Sequence, residues 1–231
     1  MKNSRLWLIP LCFLLVCCAL NLAGCFVSAA LKATVKPAIL PLVCATSLAW
    51  LLPRLDQSKK YSGVGLLVCA QLLGCAGDTM LLGDGFIFFA GGIGLFLLGH
   101  ICYICLFGGQ SFKGLKAWQW IAGIAGGLAV TVALVVGIGV NGALLPPMGI
   151  YAFTLSMLIF STLAGALRFG GYTWWVLACG ALLFTFSDSL IAINTFKGVS
   201  DFVSGFGVMS TYIIAQCLLA IGGCRLLTGR R

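Results

Sequence analysis

Two aspartates of this 231-residue chain lie deep within apolar stretches, where a charged side chain is costly. Of its five acidic residues, Asp56, Asp84 and Asp201 fall in the polar breaks between those stretches, which leaves Asp78 and Asp188. A carboxylate at the centre of a membrane-spanning helix costs roughly 2.5 to 3.5 kcal/mol on insertion scales. Residues that carry such a cost generally have a function, so these two are the first candidates for a chemical site.

Two carboxyl groups in one site of low dielectric tend to divide into a proton donor and a proton acceptor. The sequence therefore predicts that Asp78 and Asp188 form an acid/base pair. The alternative is that each is a structural carboxylate, bonded to Ser, Tyr or Lys in a helix interface.

Other polar residues in apolar stretches are candidates for lining the same cavity. His100, the only histidine, lies on nearly the same helical face as Tyr103, and Tyr212 and Gln216 are four residues apart on one face. Tyr151 falls in another apolar stretch. For these residues the alternatives are packing and hydrogen bonding between helices.

Lys36 is expected to begin the second helix on the outer side of the membrane. There it would pair with a carboxylate or with a lipid phosphate. The alternative is that it anchors the helix at the interface.

The composition of the chain indicates which secondary structure positions these residues. The chain is 61% hydrophobic and 8% charged, with a mean hydropathy of +1.12, whereas soluble domains are about a quarter charged. In lipid every backbone amide must be bonded internally, and apolar stretches of about 17 to 25 residues suit helices rather than the shorter strands of a barrel. We predict an all-α fold, a polytopic membrane bundle.

About eight spans are predicted, with short breaks such as Lys32–Pro37 between them. The first span follows two basic residues as a signal peptide does, but no clear cleavage site ends it, so we keep it as a helix. No break is long enough for another domain, so residues 1–231 are one integral membrane domain. The spans are 6–28, 37–53, 61–82, 86–107, 117–140, 147–167, 172–195 and 202–227.

The basic residues predict the orientation. Eleven of them lie on the face that carries both termini, and only Lys32, Lys36 and Lys197 lie on the other. By the positive-inside rule both termini are cytoplasmic, most simply in a bacterial inner membrane. The net charge of +9 thus reflects topology rather than nucleic-acid binding. The eleven are Lys2, Arg5, Arg54, Lys59, Lys60, Lys113, Lys116, Arg168, Arg225, Arg230 and Arg231.

An internal repeat at an offset of 110 residues relates the two aspartates. The segment 77–81 around Asp78 aligns with 187–191 around Asp188, and Cys69 aligns with Cys179. An offset of four helices gives two parallel four-helix halves, about 1–116 and 117–231, around a pseudo-two-fold axis along the membrane normal. That symmetry would place the two aspartates at one depth, facing each other.

Metal and thiol chemistry are not supported. Most of the twelve cysteines lie inside apolar stretches and are interpreted as small core residues. Cys102 and Cys105 have the spacing of a redox pair but lie within a predicted helix. A single histidine does not suggest a zinc site, and no serine stands in a nucleophile elbow, so we predict a site without metal or cofactor.

Together, several spaced motifs resemble the YhhN-like lysoplasmalogenases, which are integral membrane hydrolases of the vinyl-ether bond of lysoplasmalogens. The resemblance covers most of the chain and implies an eight-helix fold in which Asp78 and Asp188 act. One departure is Ala38, where a larger apolar residue is expected. The motifs are Lys36-Pro37, Gly77-Asp78 with Leu81, Phe96 with His100 and Tyr103, Tyr151 with Met157, Gly180-Ala181 with Phe184, Ser187-Asp188, and Tyr212 with Gln216.

The resemblance implies a lysophospholipid substrate held in the membrane and cleaved to a fatty aldehyde and a glycerophospho-alcohol. One aspartate donates a proton, and the other stabilises the cation and activates water. The rival hypotheses are a small proton-coupled transporter and a noncatalytic scaffold. The predicted substrate-binding residues are Lys36, His100, Tyr103, Tyr151, Ser187, Tyr212 and Gln216.

Overall fold

The computed structural model describes residues 5–55 and 61–229, in which eight α-helices and no β-strand are found. Each helical segment is long and apolar enough to cross a membrane, which confirms the all-α class and the eight predicted spans. The chain is therefore an integral membrane protein. The helices are α1 (Leu8–Val27), α2 (Ala29–Leu51), α3 (Tyr61–Met80), α4 (Phe86–Ser111), α5 (Ala117–Ile138), α6 (Leu145–Phe169), α7 (Gly171–Lys197) and α8 (Val208–Leu227).

The predicted break at Lys32–Pro37 is wrong, because α2 begins at Ala29 and only Ser28 separates it from α1. Ser28 caps the helix by accepting a hydrogen bond from the backbone amide of Leu31. Gly24 makes the tight hairpin feasible, since a Cβ there would lie 2.7 Å from the backbone nitrogen of Lys32.

As a result, Lys36 does not begin α2 but lies two turns inside it. The two prolines that suggested a helix start, Pro37 and Pro41, are both inside the helix. Pro41 has no N–H, so the carbonyl of Pro37 lacks its usual helical donor. The thiol of Cys75 on α3 lies 3.4 Å from that carbonyl and donates to it.

Sequence neighbours pair into antiparallel hairpins, α1 with α2, α3 with α4 and α7 with α8, and α8 also packs against α2 and α3. The core lies where α6, α7 and α8 are most buried, whereas α1 and α5 bury few residues and leave large apolar side chains exposed. Lipid is the solvent that such surfaces require. The largest wholly enclosed side chains include Trp174, Tyr103, Phe107, Phe184 and Leu177.

The two ends of the bundle differ in charge. The end where α1 begins and α8 finishes, called here the basic end, carries Arg5, Arg54, Lys113, Lys116, Arg168 and Arg225. At the opposite end, the connections after α3 and α7 carry Asp84 and Asp201. Which end faces the cytoplasm stays a prediction, as do the two repeated halves. Lys2, Asp56, Lys59, Lys60, Arg230 and Arg231 lie outside the described residues.

Candidate active site

Asp78 is held by side chains from two other helices. It lies in the last turn of α3 and is 2% exposed. The ammonium nitrogen of Lys36 on α2 lies 3.1 Å from its Oδ1, and the hydroxyl of Tyr212 on α8 donates to its Oδ2 at 2.6 Å. A buried carboxylate is thus satisfied by a cation and a hydroxyl donor.

Hydrogen bonds extend this arrangement across α8 to α4. Gln216 donates through Nε2 to the hydroxyl oxygen of Tyr212, and Tyr103 donates to Oε1 of Gln216, both at 3.3 Å. Because the Tyr212 oxygen accepts from Gln216, its proton is directed at Asp78. Four of the predicted site residues, Lys36, Tyr103, Tyr212 and Gln216, therefore lie with Asp78 in one network.

Asp188, on α7, has a different environment. It is 8% exposed, and the hydroxyl of Tyr151 on α6 donates to its Oδ2. In the described part of the chain no cation forms an ion pair with it. Asp78 and Asp188 are thus bonded to side chains of different helices. Their partners differ, which makes the pair chemically unequal.

An aromatic cluster lies between the two tyrosine–aspartate pairs. The Phe96 ring is 6.2 Å from that of Tyr212, and the His100 ring is 5.6 Å from that of Tyr151. Phe184 contacts both sides, with its ring centroid 4.5 Å from His100 and 5.5 Å from Tyr212. Phe96 and Phe184 belong to the motifs of the family resemblance, but neither was predicted as a site residue, because an aromatic residue in an apolar stretch looks like any other core residue.

His100 and Ser187 lie beside the site without bonding to either aspartate. His100 is 1% exposed, and its Nδ1 has no hydrogen-bond partner among the described residues. Ser187 donates its hydroxyl to the backbone carbonyl of Val208 at 3.1 Å, which ties α7 to α8. This bond satisfies the buried hydroxyl of Ser187 and joins two helices, as is usual for buried hydroxyl groups.

The helix contact beneath Asp78 depends on glycine. A Cβ on Gly77 would lie 3.0 Å from the Phe96 ring and 3.2 Å from the carbonyl oxygen of Gly92. The missing side chain lets α3 approach α4 closely and brings Asp78 against the aromatic cluster. In the sequence, the glycine directly before Asp78 was the one local indication of this close helix contact.

Two small cavities flank Asp188. Their volumes are about 30 and 20 Å³, and both are lined by Asp188, Tyr151, Met148 and Ala192. A polar cavity of about 10 to 15 Å³ is enough for one water molecule. Each cavity is therefore large enough for one water molecule beside Asp188.

A larger apolar crevice lies between α4 and α6. Its volume is about 190 Å³, and it is lined by Phe86, Gly94, Leu144 and Pro147, among others. Met148 and Ile93 line both this crevice and one of the small cavities at Asp188. The crevice therefore adjoins that cavity at these two side chains.

The YhhN family model matches residues 31–223, a range that includes every residue of the site. The chain belongs to the YhhN family. Among its relatives, the human lysoplasmalogenase TMEM86A is 29% identical over 192 residues, covering 79% of this chain and 74% of that protein. The mouse lysoplasmalogenase TMEM86B is 28% identical over 186 residues, covering 80% and 73%. No solved structure matches the chain.

In this YhhN-family protein the candidate site contains two buried carboxyl groups, each bonded to a tyrosine hydroxyl. Cavities large enough for water lie beside Asp188, and an apolar crevice adjoins them. In the described part of the chain, no group of three His, Cys, Asp or Glu side chains is placed to hold a metal ion. The two carboxyl groups of the site are side chains that can donate or accept a proton.

Proposed function

We propose that this protein hydrolyses the vinyl-ether bond of lysoplasmalogen, an alkenyl glycerophosphocholine or glycerophosphoethanolamine, by aspartate acid/base catalysis. The observation that carries the proposal is the pairing of two buried aspartates with tyrosine hydroxyls beside water-sized cavities. The relatives named lysoplasmalogenase support the same activity.

The reaction needs one proton donor, one water molecule and stabilisation of a cation. A carboxylic acid protonates the vinyl carbon remote from the ether oxygen, which leaves an oxocarbenium ion. Water adds to the carbon bonded to oxygen and gives up a proton, forming a hemiacetal. The proton that the water gives up returns to the carboxylate and regenerates the acid. The hemiacetal then collapses to a fatty aldehyde and the glycerophospho-alcohol as its hydroxyl proton passes to the departing oxygen.

The unequal environments of the two aspartates support an assignment of roles. The ammonium of Lys36 stabilises the carboxylate form of Asp78. We assign Asp78 to stabilising the oxocarbenium ion. Asp188, which has no such ion pair among the described residues and borders both cavities, would donate the proton and then accept one from the attacking water.

The α4–α6 crevice would hold the alkenyl chain. It is apolar and adjoins the Asp188 cavity through Met148 and Ile93. Lys36 and Tyr151 are bonded to the aspartates in the structure, and the substrate-binding role predicted for both stays a prediction.

The decisive experiment incubates the purified protein with alkenyl and ester lysolipids and measures fatty aldehyde and fatty acid separately. We expect aldehyde from the alkenyl lipid and no fatty acid from the ester. Fatty acid release would show ester hydrolysis instead. Proton-dependent flux in proteoliposomes without aldehyde would support the transporter hypothesis.

Gly94→Leu is expected to reduce turnover of long-chain substrate more than of short-chain substrate. Gly94 lines the crevice, and a Cβ there would meet no atom within 4 Å, so a leucine can begin without a clash and extend into the space assigned to the alkenyl chain. Aldehyde release is measured with alkenyl chains of several lengths. Gly109→Leu on the same helix, also in open space, should leave the chain-length profile unchanged. Equal profiles for both variants would contradict the crevice assignment.

Tyr151→Phe is expected to lower kcat for aldehyde release about 10- to 100-fold, because it removes the hydroxyl that orients Asp188. The matched control is Tyr172→Phe, since Tyr172 is exposed and outside the site. Steady-state kinetics of both variants test this. Full activity of Tyr151→Phe would exclude an orienting role for its hydroxyl.

We also propose that the basic end faces the cytoplasm of a bacterial inner membrane, as the excess of lysine and arginine favours. A reporter protein that is fluorescent only in the cytoplasm, fused after the last residue, tests the orientation. Absence of fluorescence from a correctly inserted fusion would reverse it.

A further inference from the structure

The largest of the cavities described for this protein lies at the basic end, and neither aspartate lines it. It is a groove of about 470 Å³ between α1, α2 and α8. This volume lies within the range of sites for small molecules, roughly 300 to 1,000 Å³. Its walls are mainly apolar and include Leu14, Val43 and Ile221.

The groove is separate from the candidate active site. Val43 is seven residues beyond Lys36 on α2, which is about 10 Å along the helix axis. The crevice assigned to the alkenyl chain lies between other helices, α4 and α6. The catalytic proposal therefore leaves the groove without a role.

Aromatic and basic residues mark the mouth of the groove. Trp7 and Trp50 line it, and tryptophan is typical of the level where lipid headgroups meet the acyl chains. Arg225 also lines it, while Arg54 lies over the Trp50 ring at 4.7 Å. Arg5 is in the same short helix as Trp7.

The charges of these arginines are not balanced by acids in the described part of the chain. Arg54 donates to the backbone carbonyl of Trp50 at 2.6 Å, and Arg225 donates to the hydroxyl of Thr173 at 3.0 Å. Both acceptors are neutral. Across residues 5–55 and 61–229, no carboxylate forms an ion pair with either arginine or with Arg5.

We propose that this groove is a binding site for an anionic phospholipid, distinct from the active site. One acyl chain would occupy the apolar groove, and the phosphate would lie against Arg225 with Arg54 and Arg5 nearby. Burial of the chain supplies affinity for any phospholipid, whereas the arginines supply preference for an anionic headgroup. Arginine suits phosphate because its guanidinium presents several donors in a fixed fork.

The test measures binding of dioleoyl phosphatidylglycerol and dioleoyl phosphatidylcholine to delipidated protein by native mass spectrometry. Neither lipid has a vinyl ether, so the result is independent of the catalytic proposal. We expect tighter binding of phosphatidylglycerol, and we expect Arg225→Gln to reduce that preference about fivefold. Arg168→Gln, at the same end but outside the groove, should retain it.

A second pair of variants tests the chain site. Thr46→Trp is expected to fill the groove and weaken binding of both lipids, and Ile221→Trp, at a half-exposed position, serves if the first variant does not fold. Equal binding of the two lipids by the unmodified protein would overturn the proposal. So would equal effects of Arg225→Gln and Arg168→Gln, or a dimer in which this groove is the interface between copies.

Discussion

Asp188→Asn is expected to lower the rate of aldehyde release from alkenyl lysolipid by about 10²- to 10⁴-fold, the usual contribution of a positioned proton donor. The amide has nearly the shape of the carboxyl group, so the hydrogen bond from Tyr151 can persist while the transferable proton is lost. Asp78→Asn should also abolish turnover, because the carboxylate charge beside the oxocarbenium ion is removed. Both rates are measured on purified, folded protein.

The controls are Asp84→Asn and Asp201→Asn, two exposed acids in the connections at the same end of the bundle. Both should retain activity. Full turnover by both Asp78→Asn and Asp188→Asn would end the assignment of catalysis to this pair. Loss in Asp188→Asn alone would restrict the chemistry to one carboxyl group and make Asp78 a structural residue.

Lys36→Met is expected to destabilise the protein strongly and to remove activity. The substitution leaves Asp78 as a buried carboxylate without its cation, and breaking one side of a buried ion pair costs about 3 to 5 kcal/mol. The measurement is thermal unfolding in detergent, followed by tryptophan fluorescence. The control is Lys32→Met, one helical turn earlier, which forms no ion pair with a described carboxylate.

The double variant Lys36→Met/Asp78→Asn separates stability from function. With both charges removed, no unpaired ion is buried, so we expect much of the lost stability to return. Activity should not return, because the Asp78 carboxylate is absent. A double variant that is no more stable than Lys36→Met would show that the lysine stabilises the bundle through contacts other than the ion pair.

The helical spans were predictable because a single segment that crosses lipid can satisfy its backbone hydrogen bonds only as a helix. An apolar stretch long enough to cross the membrane must bond its own amides, so length and hydropathy alone indicated eight spans. The misplaced start of α2 had a local cause. Proline next to lysine is typical of a helix boundary, whereas here the Ser28 cap and the Cys75 thiol on α3 let the helix continue through both prolines.

The aspartates were predictable for the same reason, since a charge in an apolar stretch is costly wherever the helix lies. Which of the candidate polar residues bonds to which aspartate was not predictable. Lys36 and Tyr212 are 42 residues before and 134 residues after Asp78, and only the packing of α2 and α8 against α3 brings them to it.

The sequence by itself determined that this protein lies in lipid, that it is helical and which carboxyl groups are costly to bury. Each of these depends on local properties, namely the hydropathy of side chains and the need of backbone amides in lipid to be bonded internally. The tertiary structure alone decided that Asp78 pairs with a cation while Asp188 borders water-sized cavities. Contacts between distant helices depend on shape and depth, which no local pattern of residues records.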